Sequence, residues 1–204
     1  MLELDHVFCM VRDPAHPVQQ LEDDGWTLDP GQAHRGQGTR NRRLAWRERF
    51  FELLWVTDVA EARANPLRLD RRAEWTSTGA SPFGFAFRGQ IEPARADEYW
   101  LYDALGVPIW VHRDHERCPE RPLVFVLASD VVKARRQRPR TAPAVAHRQP
   151  GELQAVRVRG PSAPALLPYA GPSIIYREGP HLLELVVGNA GSVRQITDAL
   201  RMRS

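Results

Sequence analysis

Residues 2–11, LELDHVFCMV, alternate with the two-residue period of a β-strand yet leave neither face polar. Leu4, His6, Phe8 and Met10 fall on one side, and Val7, Cys9 and Val11 on the other. A strand that is apolar on both sides has to be covered on both sides. The chain must therefore supply other elements to pack above and below its first strand. Pro14 and Pro17 break the strand, and 17–24 fits a short helix that starts at Pro17 and stops at Gly25.

The same alternation recurs downstream. Leu44-Ala-Trp46-Arg-Glu and Phe50-Phe-Glu-Leu-Leu-Trp-Val56 read as a tight hairpin. In its second arm Phe50, Glu52, Leu54 and Val56 share one face, and Phe51, Leu53 and Trp55 the other. Asp58 suits a helix N-cap before VAEARA. Strands are expected at 83–88, 100–102, 108–112 and 123–128, with a short helix at 92–98. Residues 133–151, rich in arginine and proline, read as a surface linker. Beyond it a strand at 153–159 and a helical turn at 162–167 are expected. A hairpin is expected from 173–177 and 181–187 around Glu178-Gly-Pro, and a closing helix at 192–202, with Val193, Ile196 and Leu200 on one face. The chain thus divides into a first module, 1–60, a strand-rich middle, 61–132, the linker, 133–151, and a C-terminal partial module with its closing helix, 152–204. Together they make one compact domain.

Composition narrows the class of function. No apolar run approaches the ~20 residues that span a bilayer, and the N-terminus does not read as a signal peptide. Cys9 and Cys118 lie far apart and read as free thiols in a reducing, cytoplasmic compartment. Lys133 is the only lysine among the 28 basic residues, and 25 acids are spread among them. The one basic cluster, Lys133 to Arg140, sits in the proline-rich linker without an aromatic residue for base stacking, which argues against nucleic acid as a partner. No dinucleotide fingerprint, phosphate loop, nucleophile elbow or Cys-x-x-Cys pair is present.

Two features suit a small-molecule pocket. Phe8 and Phe50, with other aromatics, would line an apolar cavity, although the same residues would make an ordinary core. In the stretch 34–41, HRGQGTRN, Gly36 and Gly38 allow close backbone approach or positive φ. Thr39 and Asn41 alternate onto one face, where they would bind a ligand carbonyl or hydroxyl; a plain β-bulge or turn explains the glycines as well. His112 and His115 read as solvent-exposed, and His16, His34 and His147 as loop residues.

The chain also echoes itself. FFELLWV (50–56) resembles LLELVVG (182–188), with Glu52 over Glu184, and 4–14 resembles 153–161, with His6 over Ala155. Together with Leu4-Asp5-His6-Val7, the 34–41 stretch and Phe51-Glu52-Leu53-Leu54-Trp55, this resembles a glyoxalase-like domain of the vicinal oxygen chelate superfamily. The resemblance covers most of the chain, and its specificity lies in the first 60 residues. It implies a mixed α+β fold of repeated βαβββ modules, with curved, mainly antiparallel sheets around a cavity. It also implies a divalent metal (iron, zinc, manganese or nickel) held by inward residues of each module, and a lyase, isomerase or dioxygenase activity.

On that resemblance His6 and Glu52 match the first module's ligand positions, and Glu184 is the candidate third ligand; Ala155 cannot bind metal. A buried, hydrogen-bonded His–Glu pair is the other reading of the same two residues. Glu52, if buried, would also serve as a catalytic base. The functional expectation is a small-molecule-binding protein, either a metal-dependent enzyme or a non-catalytic binder that sequesters an apolar or aromatic compound without metal. A structural or regulatory partner role is the third alternative. Modular folds of this kind admit homodimers, and the sequence does not choose an oligomeric state.

Overall fold

The computed structural model describes residues 1–128 apart from 47 and 105, residue 149, and residues 151–203 apart from 167, 189 and 190. Its first half contains β1 (Leu2–Met10), α1 (Ala15–Asp23), β2 (Ala33–His34), β3 (Thr39–Ala45), β4 (Phe50–Val56), α2 (Val59–Ala64), α3 (Leu69–Ala73) and α4 (Trp75–Thr78). The middle contains β5 (Phe83–Gly89), a 3-10 helix (Pro93–Glu98), β6 (Tyr99–Asp103), β7 (Pro108–His112), α5 (Asp114–Arg117) and β8 (Leu123–Ala128). Six strands follow: β9 (Leu153–Gly160), β10 (Tyr169–Ala170), β11 (Ser173–Glu178), β12 (Leu182–Val187), β13 (Val193–Thr197) and β14 (Leu200–Arg203). Apart from 149 and 151, the segment read as a linker lies outside the described residues.

The fold is mixed α+β. The large sheet runs β2-β3-β4-β1-β5-β8-β7-β6, with β10 joined to the start of β1, and it curls into a half-barrel. β1 and β5 pair antiparallel at its centre, with Val7 opposite Phe85. On either side the pairing is the same: β4 lies parallel to β1 and antiparallel to β3, and β8 lies parallel to β5 and antiparallel to β7. Two βαβββ modules therefore sit back to back about the Val7–Phe85 pair.

The second sheet, β11-β9-β12-β14-β13, repeats the central five strands of the first in order and in sense. β9 stands where β1 stands, with β11 parallel on one side and β12 antiparallel on the other. β14 is parallel to β12, and β13 antiparallel to β14. The chain does repeat itself, but one strand away from where the sequence echo placed it: the counterpart of β4 is β11. Glu184 lies on β12, the counterpart of β5, so it is not the mate of Glu52. Short apolar strands carrying one glutamate look alike in sequence, and alternation alone does not identify a strand's partner.

Three C-terminal expectations need correcting. β11 and β12 do not form a hairpin, because β9 is inserted between them. Residues 192–202 form the β13–β14 hairpin instead of a helix. Ile196, Leu200 and Met202 are buried there. Ile196 and Leu200, four apart, fit the helical period, but they also fit two strands around a turn at 198–199, and Val193, expected on the same helical face, is exposed. The unpaired edge of β12 decides for the strands, since its backbone groups need partners. Residues 162–166 carry no helical turn.

Both faces of β1 are covered. On one, Val7, Cys9, Phe51, Leu53, Phe83, Phe85 and Phe87 pack in a single core with Val156, Val158, Leu183, Leu185 and Leu200 of the second sheet and Leu21 of α1. The four phenylalanines are essentially inaccessible, and each contributes about 1.5–3 kcal/mol by burial. On the other face Phe8, Met10 and Leu54 meet Leu67 and Leu69 around α3, with Tyr102, Val111 and Leu123 of the second module. Leu4 departs from the sequence alternation and joins the first core rather than the face of His6. The pairing of β1 with β5 shifts between Leu4 and His6. One extra residue in a strand reverses the facing of everything before it.

Candidate functional site

The second face of the large sheet encloses a cavity of about 370 Å³. Its inner end carries His6 and Phe8 of β1 with Glu52 and Leu54 of β4. Ile109, Val111, Leu123, Phe125 and Leu127 of β7 and β8 supply an apolar wall, and Leu67 and Leu69 another. Gln32, His34, Arg35 and Gln37, from β2 and the turn into β3, supply a polar rim. The pattern is that of a small-molecule pocket: mostly apolar, with a few polar groups at fixed places.

His6 is buried, and its ring stacks on Phe50 at 4.3 Å between centroids, with the edge of Phe125 at 5.5 Å. Its Nδ1 lies 2.8 Å from Oδ2 of the buried Asp5. Neighbouring residues in a regular strand point to opposite faces; the irregularity before His6 lets these two meet. A carboxylate only accepts, so in the neutral ring the proton sits on Nδ1 and Nε2 carries the lone pair. Asp5 is in turn 3.5 Å from Nη1 of Arg88, which also pairs with Glu3.

Glu52 is buried beside it and held from behind. Asn41 Nδ2 donates to Oε1 at 2.7 Å, and Asn41 Oδ1 accepts from the Gln32 amide at 2.8 Å. Asn41 is fully buried behind the cavity wall, so it positions Glu52 and does not line the pocket. Oε2 of Glu52 lies 4.0 Å from His6 Nε2, too far for a hydrogen bond. The two residues are satisfied, as buried polar groups must be, but by Asp5 and Asn41 rather than by each other. Each keeps an acceptor atom on the side of the other.

The remaining candidates separate. Phe8 lines the cavity, and Phe50 backs His6 without lining it. Thr39 is buried with its hydroxyl 3.2 Å from His34 Nδ1, supporting the rim rather than the interior. Glu184 is in the second sheet, where Arg157 donates to it at 2.7 Å and Arg203 at 3.2 Å. Burial pushes its carboxyl up, but the guanidiniums of Arg203 and Arg157 outweigh that and hold it below the usual carboxylate range. Glu184 is committed to that ion-pair network and does not join His6 and Glu52. His112 and His115, expected at the surface, are buried.

The donor set does not fit a resident divalent metal. The antiparallel register centred on Val7 and Phe85 makes Gly84 the second-module counterpart of His6, and Phe125 that of Glu52. Neither can ligate. Nor is there room at position 84, where a Cβ would fall 2.1 Å from Cε1 of Phe8 and 2.9 Å from the Leu123 carbonyl oxygen. The Phe8 ring fills the space that a second-module ligand would need. Among the described residues no group of three or more His, Cys, Asp or Glu is placed to hold a metal. Two protein donors hold a transition metal poorly.

Sequence reasoning gave Asp5 no role of its own, quoting it only within Leu4-Asp5-His6-Val7; the Asp-His adjacency was the available signal. Nor did it find the rim residues Gln32, Arg35 and Gln37, or the β7–β8 wall, which reach the cavity only through the pairing of β5 with β8. Among the described residues no helix is long and apolar enough to cross a membrane.

Residues 4–113 match the sequence pattern of the glyoxalase-like domain. No curated protein matches the chain. Among solved structures it resembles a hypothetical protein from Staphylococcus aureus at 14% identity and TM-score 0.50, over 99% of this chain and 98% of that one. It also aligns with the methylmalonyl-CoA epimerase of Mycobacterium tuberculosis at 19% identity and TM-score 0.42, over 62% of this chain and 87% of that one.

Proposed function

Since this chain belongs to the glyoxalase-like domain family, we propose that its cavity binds a small, largely apolar molecule and that His6 and Glu52 move a proton on it without a resident metal. The observation that carries this is the pair of acceptors, His6 Nε2 and Glu52 Oε2, 4.0 Å apart at the inner end of an apolar cavity. Each is fixed from behind, His6 by Asp5 and Glu52 by Asn41. Asp5 sets the tautomer and orientation of the imidazole, as a positioned carboxylate does for a general base. Apolar surroundings strengthen electrostatic interactions with whatever charge develops there.

Both groups start as acceptors, so the resting site is a base. It removes a proton from a carbon next to a carbonyl or similar electron sink. The electron pair left behind spreads into that sink. On the base that proton exchanges with water, and a proton then returns to the original carbon from either face, or to a neighbouring atom, and the base is regenerated. Atoms balance without an oxidant, reductant or metal, and the product is an isomer of the substrate.

The test is hydrogen exchange. Small molecules that co-purify with the protein are identified by mass spectrometry and returned to it in heavy water. The expected result is incorporation of one deuterium by the wild type, with the rate lowered about 100-fold or more in Glu52→Gln or His6→Ala. Bound ligand recovered without deuterium refutes proton transfer. It would favour the second reading, a protein that sequesters an apolar compound, to which the continuous apolar wall of β7 and β8 also lends support.

A further inference from the structure

The chemistry of the cavity is polarised along its depth, and the polarity has a sign. The inner end holds the Glu52 carboxylate and the His6–Asp5 pair, all buried. An anionic group of a ligand would be repelled there. The walls between are aliphatic and aromatic. At the exposed rim stands Arg35, which among the described residues has neither a carboxylate nor a hydrogen-bond partner, unlike the ion-paired Arg12, Arg42, Arg43, Arg68 and Arg88. His34 and Gln37 flank it on the same rim and add donors.

The turn that carries Arg35 is fastened to its surroundings. The Gly36 amide donates to Glu61 Oε1 at 2.5 Å, and the Gly36 carbonyl accepts from Asn65 Nδ2 at 2.5 Å. Asn65 also donates to the Tyr102 hydroxyl at 2.8 Å, which ties the turn to the second module. The Gly38 carbonyl accepts from the amides of Thr57 and Asp58 at 2.8 and 3.1 Å. At Gly38 the backbone has φ +65°, and a Cβ would fall 2.2 Å from the Asp58 carbonyl oxygen. The glycines of this stretch press the turn against the start of α2, and in doing so hold Arg35 at the opening. Glu61 accepts from a backbone amide here and not from the guanidinium.

We infer that the cavity takes an anionic amphiphile, a ligand with an apolar, aromatic-sized body and one carboxylate, sulfonate or phosphate. The anionic group sits at Arg35, and the far end of the body, which carries the acidic carbon, reaches His6 and Glu52. This rests on the proposal that the cavity is the binding site, and it adds the ligand's charge and its direction of entry. Entering body first, such a ligand leaves its own charge in water and beside a guanidinium, and buries mostly apolar surface.

Two fluorescent probes with the same aromatic body separate these claims. Anilinonaphthalene sulfonate carries the anionic group, and N-phenylnaphthylamine lacks it. Each is titrated against the wild type and Arg35→Gln, and each is used to displace the other. The expected result is that both bind and compete for one site. The sulfonate should bind about two- to fivefold more tightly to the wild type, as suits one ion pair at an exposed rim, and equally with the neutral probe to Arg35→Gln. Equal affinity in the wild type, or a preference that survives in Arg35→Gln, overturns the anionic assignment and leaves the cavity as a binding site. Failure of both probes to bind overturns the cavity reading along with it.

Discussion

Gly84 tests whether the second-module ligand position is truly closed. An alanine there would place its Cβ 2.1 Å from Cε1 and 2.4 Å from Cζ of Phe8, and 2.9 Å from the Leu123 carbonyl oxygen. Phe8 is buried but lines the cavity, so its ring can yield only by leaving its packed position for that space. Overpacking of this kind costs about 1–3 kcal/mol. The two colliding ring carbons are absent from leucine. Phe8→Leu alone should cost about 1–2 kcal/mol through lost contacts. In its background Gly84→Ala should lose most of its penalty, leaving only the strain against Leu123. The double-mutant cycle therefore has a predicted coupling of about 1–2 kcal/mol in the favourable direction. Urea unfolding of the four proteins measures it, provided the transition slope stays constant. If Gly84→Ala costs less than about 0.5 kcal/mol, or costs the same with and without the Phe8 ring, then Phe8 does not close the position.

Two further outcomes are expected. Purified protein loaded with iron, zinc, manganese or nickel should retain well under one equivalent by elemental analysis, and His6→Ala should retain as little; stoichiometric metal lost in His6→Ala would overturn the fit argument. Burial, reinforced by the Arg72 guanidinium, holds His115 below the ordinary histidine value, and burial does the same for His181. The unfolded chain takes up protons at these groups at a higher pH than the folded one. Stability should therefore fall as pH drops below the ordinary histidine value toward the lower folded values. The slope of the urea midpoint with pH should shrink in His115→Gln/His181→Gln, and an unchanged slope would remove these histidines as its source.

The sequence by itself determined the local elements around the site. Alternation fixed β1 and β4 to β8, though it set the first hairpin arm at 44–48 where β3 spans Thr39–Ala45 and gave no sign of β2; Asp58 announced α2 through its side-chain cap on Glu61, and the facing of Phe50, Glu52, Leu54 and Val56 followed from period two. It brought forward His6 and Glu52, which the fold sets side by side. Tertiary structure decided the rest. The irregularity between Leu4 and His6 turned Leu4 into the other core and brought Asp5 to the imidazole. The pairing of β5 with β8 supplied the wall and put Gly84 and Phe125 where further ligands would stand. The insertion of β9 between β11 and β12 took Glu184 away to two arginines. A two-residue period reports which way a side chain faces but says nothing about which strand lies alongside. Hydrogen-bond pairing between distant segments settles that, and one inserted residue reverses every facing before it.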